Sequence, residues 1–425
     1  MHPKLLKWLA VAAAIYLIVV GAFGAGWLVR HKDLWPNREI TNTAQTLKRF
    51  AETQELVPNG LLHPRPSGPD GGWFDIRDPG RYLAGFRPVM GWDAGAGQFA
   101  IWLFDPAGEI RHRWPIDLDR LAIARIASEG LTPHGMAVLP DGDVLVNFST
   151  GADAIVRLDG CGAPVWRRDG AFHHSIHLTG EGGLWTLEND VDPRDMTLRL
   201  AELDVATGET RRSIALFDDV FRDNSENAMV LRLPESFDPG PVAGRGAYIE
   251  GRDLWHANDV KPLGAARAPA FPMFAPGDLL ISLRNIDLIA VLDPERLVFK
   301  WWQWGPWRAQ HDPEFGPDGR IWVFNNATGL GRSDVVAVDP ATGATERYFS
   351  SGDLAFYTEA QGQLAILAPD LLQLVIPFEG RVVEATLAGE IVLEINNIAK
   401  KATNARVMNA AYLPPDYFEA MPSCP

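Results

Sequence analysis

The sequence predicts an all-β chain: a six-bladed β-propeller preceded by a single N-terminal transmembrane helix. Three observations carry this. One long uncharged segment opens the chain, six copies of a strand–turn–strand unit follow it, and histidines recur at one position of that unit. Size and composition agree. At 425 residues the chain exceeds an ordinary domain, but radially repeated four-stranded blades absorb such a length. With 47% hydrophobic and 22% charged residues it can build a large core. Its 40 Gly, 32 Pro and 15 Trp suit turn-rich, aromatic-rich β structure.

The first element spans residues 1–32. From Trp8 to Val29 there is no charge, a run long enough to cross a bilayer as a helix. Trp8 and Trp27 stand where interfacial aromatics are favoured, with Lys4 and Lys7 on one side and Arg30, His31 and Lys32 on the other. That near-even balance leaves the orientation open. The small residues Gly21 to Gly26 offer no strong A-x-A-like cleavage site, so an uncleaved anchor is expected over a signal peptide. Residues 33–84 come next. Leu47, Phe50 and Ala51 between Thr43 and Glu55 suggest a juxtamembrane helix, and the Pro/Gly-rich stretch from Pro58 to Gly72 suggests an extended linker.

The propeller is assigned to residues 85–425. Each unit reads as an apolar strand, a Pro-Asp-Gly type turn, a second apolar strand, a third ending in Asp, and a last strand rich in Trp or Arg. Clear copies begin at His134, His174, His256 and His311. A weaker copy begins at Gln363, and a degenerate first copy covers "FRPVMGWDAGAGQFAIWLFDPAGEIRHRW". Blade-sized repeats of this kind mark propellers, and an irregular sandwich does not require six copies of one strand order. Longer spacings imply loops inserted near 188–199, 218–250 and 262–276.

The histidines align. His134, His174 and His311 precede Gly142, Gly182 and Gly319 by the same offset, which selects His174 over His173 and His177. Gln363 precedes Pro369 as His311 precedes Pro317, and His256 opens its unit in the same way. Equivalent positions in successive blades lie on a ring about the axis, and the first strand of a blade is usually the innermost. The ring therefore places imidazole or amide groups at one mouth of the central channel. A lone histidine is more often a satisfied core residue, but scaffold packing does not ask for imidazole at one position four times.

Such a ring could hold a metal. Arg284, after the strand "GDLLISLR", and Asn258 join it instead, with no evident inward carboxylate beyond Asp312. Arginine among the ligands favours an anion over a cation, and no metal site is assigned. His256 and Asn258, two apart on an extended segment, are expected to face the same side. Taken singly, Arg284 would read as a salt-bridge partner and Asn258 as a turn residue. The formal net charge of −15 argues against nucleic acid as a partner, but not against a small anion bound locally. Cys161 and Cys424 form no CxxC motif. A disulfide between them is possible in an oxidising compartment, with two unpaired thiols the plainer reading.

"WHANDVKPL…GDLLISLRN", "QHDPEFGPDGRIWVFNN" and "FHHSIHLTGEGGLW", with "GRVVEATLAGEIVLEI…NARVMNAAYLPPDYF", resemble the arylsulfotransferase family, the PAPS-independent aryl sulfate sulfotransferases, over about residues 85 to 415. The resemblance implies a six-bladed propeller of the bacterial envelope that faces away from the cytoplasm; with the N-terminal helix as anchor, the expected place is the cytoplasmic membrane, the propeller facing the periplasm or exterior. It implies transfer of a sulfuryl group from a phenolic sulfate ester to a phenolic acceptor, by a ping-pong route through a sulfohistidine and without cofactor. His311 in "QHD" resembles the nucleophile. His256 and Asn258 in "HAN" and Arg284 in "SLRN" resemble ligands of the sulfuryl oxygens, and His174 resembles a further active-site histidine. His134 and Gln363 enter as substrate-binding candidates on their ring position alone. The family's short-range disulfide and its separate N-terminal β-domain have no counterpart here, so dimerisation is not carried over. Trp255, Trp304, Trp307, Phe315 and Tyr357 are candidates to stack an aryl ring, or to pack between blades. Two rival classes are a non-catalytic envelope scaffold and a quinone-dependent dehydrogenase propeller. The latter usually wants more blades, a carboxylate-rich Ca²⁺ site and often a vicinal cysteine pair, none of which is visible.

Overall fold

The computed structural model describes residues 3–31, 60–66, 71–121, 123, 132–149, 154–189, 198–222, 224–231, 255–352 and 354–424. The expected helix near 43–55 and much of the inserted 188–199 and 218–250 stretches lie outside them.

The described chain is mostly β, in antiparallel sheets. Five of these follow the sequence units. In each, the strand that opens the unit lies at one edge and the next three add outward. The second sheet starts with Thr132–Val138, the third with Ala171–Leu178, the fourth with Ala257–Pro262, the fifth with His311–Phe315 and the sixth with Gln363–Ala368. The first sheet differs. Its strands Arg87–Asp93, Gln98–Phe104 and Ile110–Ile116 are completed at the inner edge by Val407–Ala410, from the far end of the chain. The first copy looks degenerate in sequence because its opening strand is not next to it. Phe74–Ile76, from the segment read as a linker, adds to the outer edge of the sixth sheet, and Leu62–Pro64 pairs with Thr403–Ala405 in a small sheet of its own.

The middle strands explain the composition. Leu279–Leu283, Leu288–Asp293, Ile321–Asn325 and Asp334–Val338 are buried throughout, because each sheet packs a neighbour on both faces. They therefore read as unbroken apolar runs and not as alternating ones. The outer strands, such as Pro164–Asp169 and Thr345–Tyr348, are largely exposed. Apolar clusters fill the spaces between successive sheets. The circuit ends where Val375, Val382 and Leu393 of the sixth sheet meet Val89, Ala100 and Trp102 of the first.

Residues Pro3–His31 form a helix. Among the described residues, however, no helix is long and apolar enough to cross a membrane. Cys161 and Cys424 are joined in a disulfide, contrary to the plainer reading of two thiols. The C-terminal tail brings them together: Tyr417 Oη donates to the Val138 carbonyl, and Glu419 N donates to Pro140 O at 2.9 Å, laying the tail along the second sheet.

Candidate active site

The inner edge strands meet one another across the sheets, and each carries a local irregularity. Register shifts lie between Pro133 and Met136, His173 and Ile176, Ala257 and Asp259, His311 and Glu314, and Val407 and Asn409. An inserted residue breaks the ladder and re-aims the side chains beside it. His174 (φ 59°), His256 (φ 46°) and Asp312 (φ 43°) sit at these irregularities in left-handed conformations, which L-residues hold at a cost of about 1–3 kcal/mol each and mainly at functional sites. The bulge also breaks strand alternation, so His256 and Asn258 do not share a side as expected. The His256 ring turns toward the third sheet, 5.3 Å from that of His174, while Asn258 Nδ2 donates to Gln310 O at 2.7 Å, toward the fifth.

The histidines converge as the ring argument requires. The His134 and His174 rings are 4.3 Å apart, and His173, which the offset argument passed over, lies 4.8 Å from His174 and shares a hydrogen bond with it through their Nδ1 atoms. Burial holds His134 and His174 well below the ordinary imidazole range, and the neighbouring histidines push the same way. The His134 Nδ1 atom is buried without a partner.

His311 is buried in a defined orientation. Its Nδ1 faces two acceptors, Asn326 Oδ1 at 2.6 Å and Ala309 O at 3.2 Å, so that nitrogen carries the proton. Its Nε2 accepts from the Gln361 backbone N–H at 3.2 Å. Burial, opposed by the Asn326 bond and reinforced by Arg284 and His256, lowers its pKa to about 3. Asn326 is itself fixed by donating to Thr358 O at 3.0 Å and Gln361 O at 2.6 Å. Neither Asn326 nor Gln361 was singled out from the sequence. The Asn-Asn pair after "IWVF" was on view, but only the fold shows which amide meets the imidazole.

Arg284 opens a short 3-10 turn. Its backbone N–H donates to His256 O at 3.1 Å and its Nη1 to Asn285 Oδ1 at 3.4 Å, and among the described residues it forms no ion pair. Asn258 is buried and braces the Gln310–His311 segment, while its Oδ1 has no partner. Gln363 does not join the histidines; its Oε1 accepts from Ala410 N at 3.3 Å and so holds the closing strand, and Gln361 takes the place beside His311. Of the aromatic candidates, Trp255 packs on Phe221, Phe315 packs on Phe271, and Trp307 donates to Asp287 O, all within the core. The Tyr357 hydroxyl accepts from Gly329 N at 3.2 Å.

One step along the same strands lies a second, ionic cluster. Asp259 and Glu314 join Asp312 there, which corrects the expectation of a single inward carboxylate. Lys261 Nζ lies 3.0 Å from Asp312 Oδ1 and also pairs with Glu314 and, at 3.9 Å, with Asp259. His177 Nε2 meets Asp259 Oδ1 at 2.7 Å. Burial would raise the Asp259 pKa, but His177 and Lys261 outweigh it and hold the carboxyl below its ordinary value. Burial wins at Asp312 and Glu314, which are raised against the pull of Lys261. Burial also works against the Lys261 ammonium, and the three carboxylates overcome it. Ligand atoms of His177, Asp259 and Asp312 come within 4.8 Å of one another, a spacing suited to a metal. Lys261 supplies a positive charge at the same place.

A family model described as arylsulfotransferase (ASST) matches residues 135–398, well over half of the chain. No curated protein matches. A protein of unknown function from Bacteroides caccae is similar in structure over 78% of this chain and 99% of that one, at 12% identity and a TM-score of 0.51, a likeness of fold alone. A catalytically inactive virginiamycin B lyase from Staphylococcus aureus aligns over 75% of this chain and 86% of that one, at 11% identity and a TM-score of 0.40. BamB from Moraxella catarrhalis aligns over 78% and 76%, at 15% identity and a TM-score of 0.33.

Proposed function

The chain belongs to the arylsulfotransferase family, and from that premise we propose that it moves a sulfuryl group from a phenolic sulfate ester to a phenol through a covalent intermediate on His311. The observation that carries the reading is the state of that imidazole: neutral, with its proton anchored on Nδ1 by Asn326 and its Nε2 lone pair left as an acceptor, held by the Gln361 N–H.

In the first half-reaction Nε2 attacks sulfur, the N–S bond forms, the S–O(aryl) bond breaks, and the phenolate departs with the electron pair. The positive charge on the sulfated ring is stabilised through Nδ1–H by Asn326 Oδ1. The Gln361 N–H, released from Nε2, then faces the sulfuryl oxygens, a donor available only once attack begins. Arg284 adds its charge. In the second half-reaction the acceptor oxygen attacks sulfur, the N–S bond breaks, and the acceptor's proton passes to a neutral histidine of the cluster, His134 or His174. A neutral imidazole needs no lowered proton affinity to act as nucleophile at pH 7.

In this reading the six larger sheets are six blades of one propeller, supported by the inner strands and by the apolar interfaces that run from each sheet to the next. The exposed apolar side chains of the N-terminal helix, among them Ile15, Leu17, Ile18, Val19 and Phe23, support anchorage in a membrane. The disulfide supports an oxidising location outside the cytoplasm.

The test incubates the fragment from about residue 60 with a chromogenic aryl sulfate, with and without a phenol, beside His311→Ala. Phenol-dependent release that vanishes in the variant is expected, with a mass gain of one sulfuryl group on His311 when donor is given alone. Release indifferent to the phenol would indicate a hydrolase and sink the transfer reading.

A further inference from the structure

The first sheet has no histidine at the ring position, and the closing strand puts an arginine there. In the fourth sheet His256 directly precedes the irregularity: Ala257 pairs with Leu283, Asp259 with Ser282, and the next N–H of the neighbouring strand, that of Arg284, donates to His256 O. In the first sheet Val407 pairs with Gly91, Asn409 with Met90, and the next N–H, that of Trp92, donates to Arg406 O at 2.9 Å. The two patterns superpose residue for residue, so Arg406 occupies the place of His256.

The surroundings of Arg406 are those of a waiting cation. Its Nη2 donates to Gln361 Oε1 at 2.9 Å, and the same Gln361 donates its backbone N–H to His311 Nε2. Its guanidinium lies 4.3 Å over the Phe378 ring. Its Nε is buried without a hydrogen-bond partner, and among the described residues it forms no ion pair. Its charge reaches His134 and His63 and disfavours their protonation, while burial lowers its own pKa to about 10. Two guanidiniums, Arg284 and Arg406, thus lie beside the neutral imidazoles of His311 and His134, and neither has a carboxylate partner among the described residues.

We infer that Arg406 forms a second anion subsite beside His311, and that the preferred aryl substrate carries, besides its sulfate ester, a second negatively charged substituent such as a carboxylate or sulfonate. This rests on the transfer reading for the identity of the first anion. Both arginines are half-buried, and a charge partly withdrawn from water is most stable when paired and hydrogen-bonded. A monoanionic aryl sulfate pairs one guanidinium and leaves the other unmatched, whereas a dianion satisfies both and uses the free Nε–H.

Unreactive sulfonates test this without requiring turnover. Calorimetry would compare benzenesulfonate with meta-benzenedisulfonate on the wild type, Arg406→Gln and Arg406→Lys, with thermal melts to verify folding. The wild type is expected to bind the disulfonate about ten-fold or more tightly than the monosulfonate. Arg406→Gln should lose that preference while keeping its affinity for the monosulfonate, and Arg406→Lys should retain part of it. Equal binding of the two by the wild type overturns the inference, as does a preference that survives Arg406→Gln. A wild type that transfers sulfate but shows no preference refutes this subsite alone. One that shows the preference but transfers nothing refutes the transfer reading alone.

Discussion

Desolvation keeps His134, His174 and His311 uncharged, and this has a measurable sign. His134 and His174 lie well below 6.5 in the folded chain and His311 near 3. An unfolded imidazole takes its proton as pH falls through about 6.5, while the folded ones do not. Stability is therefore full above that value and is lost toward acid. The urea midpoint should fall between pH 7.5 and pH 5, and less steeply in His134→Gln. Asn326→Asp would put a carboxylate against Nδ1 of His311 and raise its pKa, so the acid limb of kcat/KM for an aryl sulfate should move up toward neutral. Lys261→Met would leave Asp312, Glu314 and Asp259 facing one another without their ammonium. Removing one partner of a buried ion cluster costs about 3–5 kcal/mol, readable as a lower urea midpoint. At this scale the sequence showed what a repeat can show. His134, His174 and His311 stand at equivalent positions, each four residues from the end of its strand, with His256 just before the start of its own, and the fold brings them together. Gln361 and Arg406 were hidden because their partners come from other sheets, Asn326 because a sequence does not show which amide of an Asn-Asn pair turns to the imidazole, and Gln363 was misplaced because its strand carries its irregularity further on, between Ile366 and Ala368.

Each inner strand is an element that must bend at one point, and glycine permits it in the second sheet. A Cβ on Gly135 would collide with the His174 carbonyl oxygen and come within 2.9 Å of Asn147 Oδ1, which accepts the Gly135 N–H. Gly135→Ala should therefore cost about 1–3 kcal/mol of stability and move His134 away from His174. Denaturant titration with a sulfonate-binding measurement would detect both. Strand order was legible from the Pro-Asp-Gly turns and apolar runs, since those are local. The irregularities were not, because an inserted residue shows only against the register of a neighbour. They also undo the expectation that residues two apart face one way.

At the scale of the whole molecule, the tail ties the end of the chain to the second sheet by Cys161–Cys424, across a separation of 263 residues. Disulfides are worth about 2–4 kcal/mol. Cys161→Ser should lower the melting temperature, and a reductant should destabilise the wild type but leave the variant unchanged. The pairing was not legible, because two cysteines so far apart meet only after the sheets have come full circle. The same geometry sets an order of events during synthesis. The first sheet leaves the ribosome early but lacks its inner edge until Val407–Ala410 emerges, and Arg406 arrives with it. A chain that stops short of Arg406 has its ring histidines and an unclosed edge. Closure of the first sheet thus waits on residues more than three hundred positions downstream of the strand they pair with.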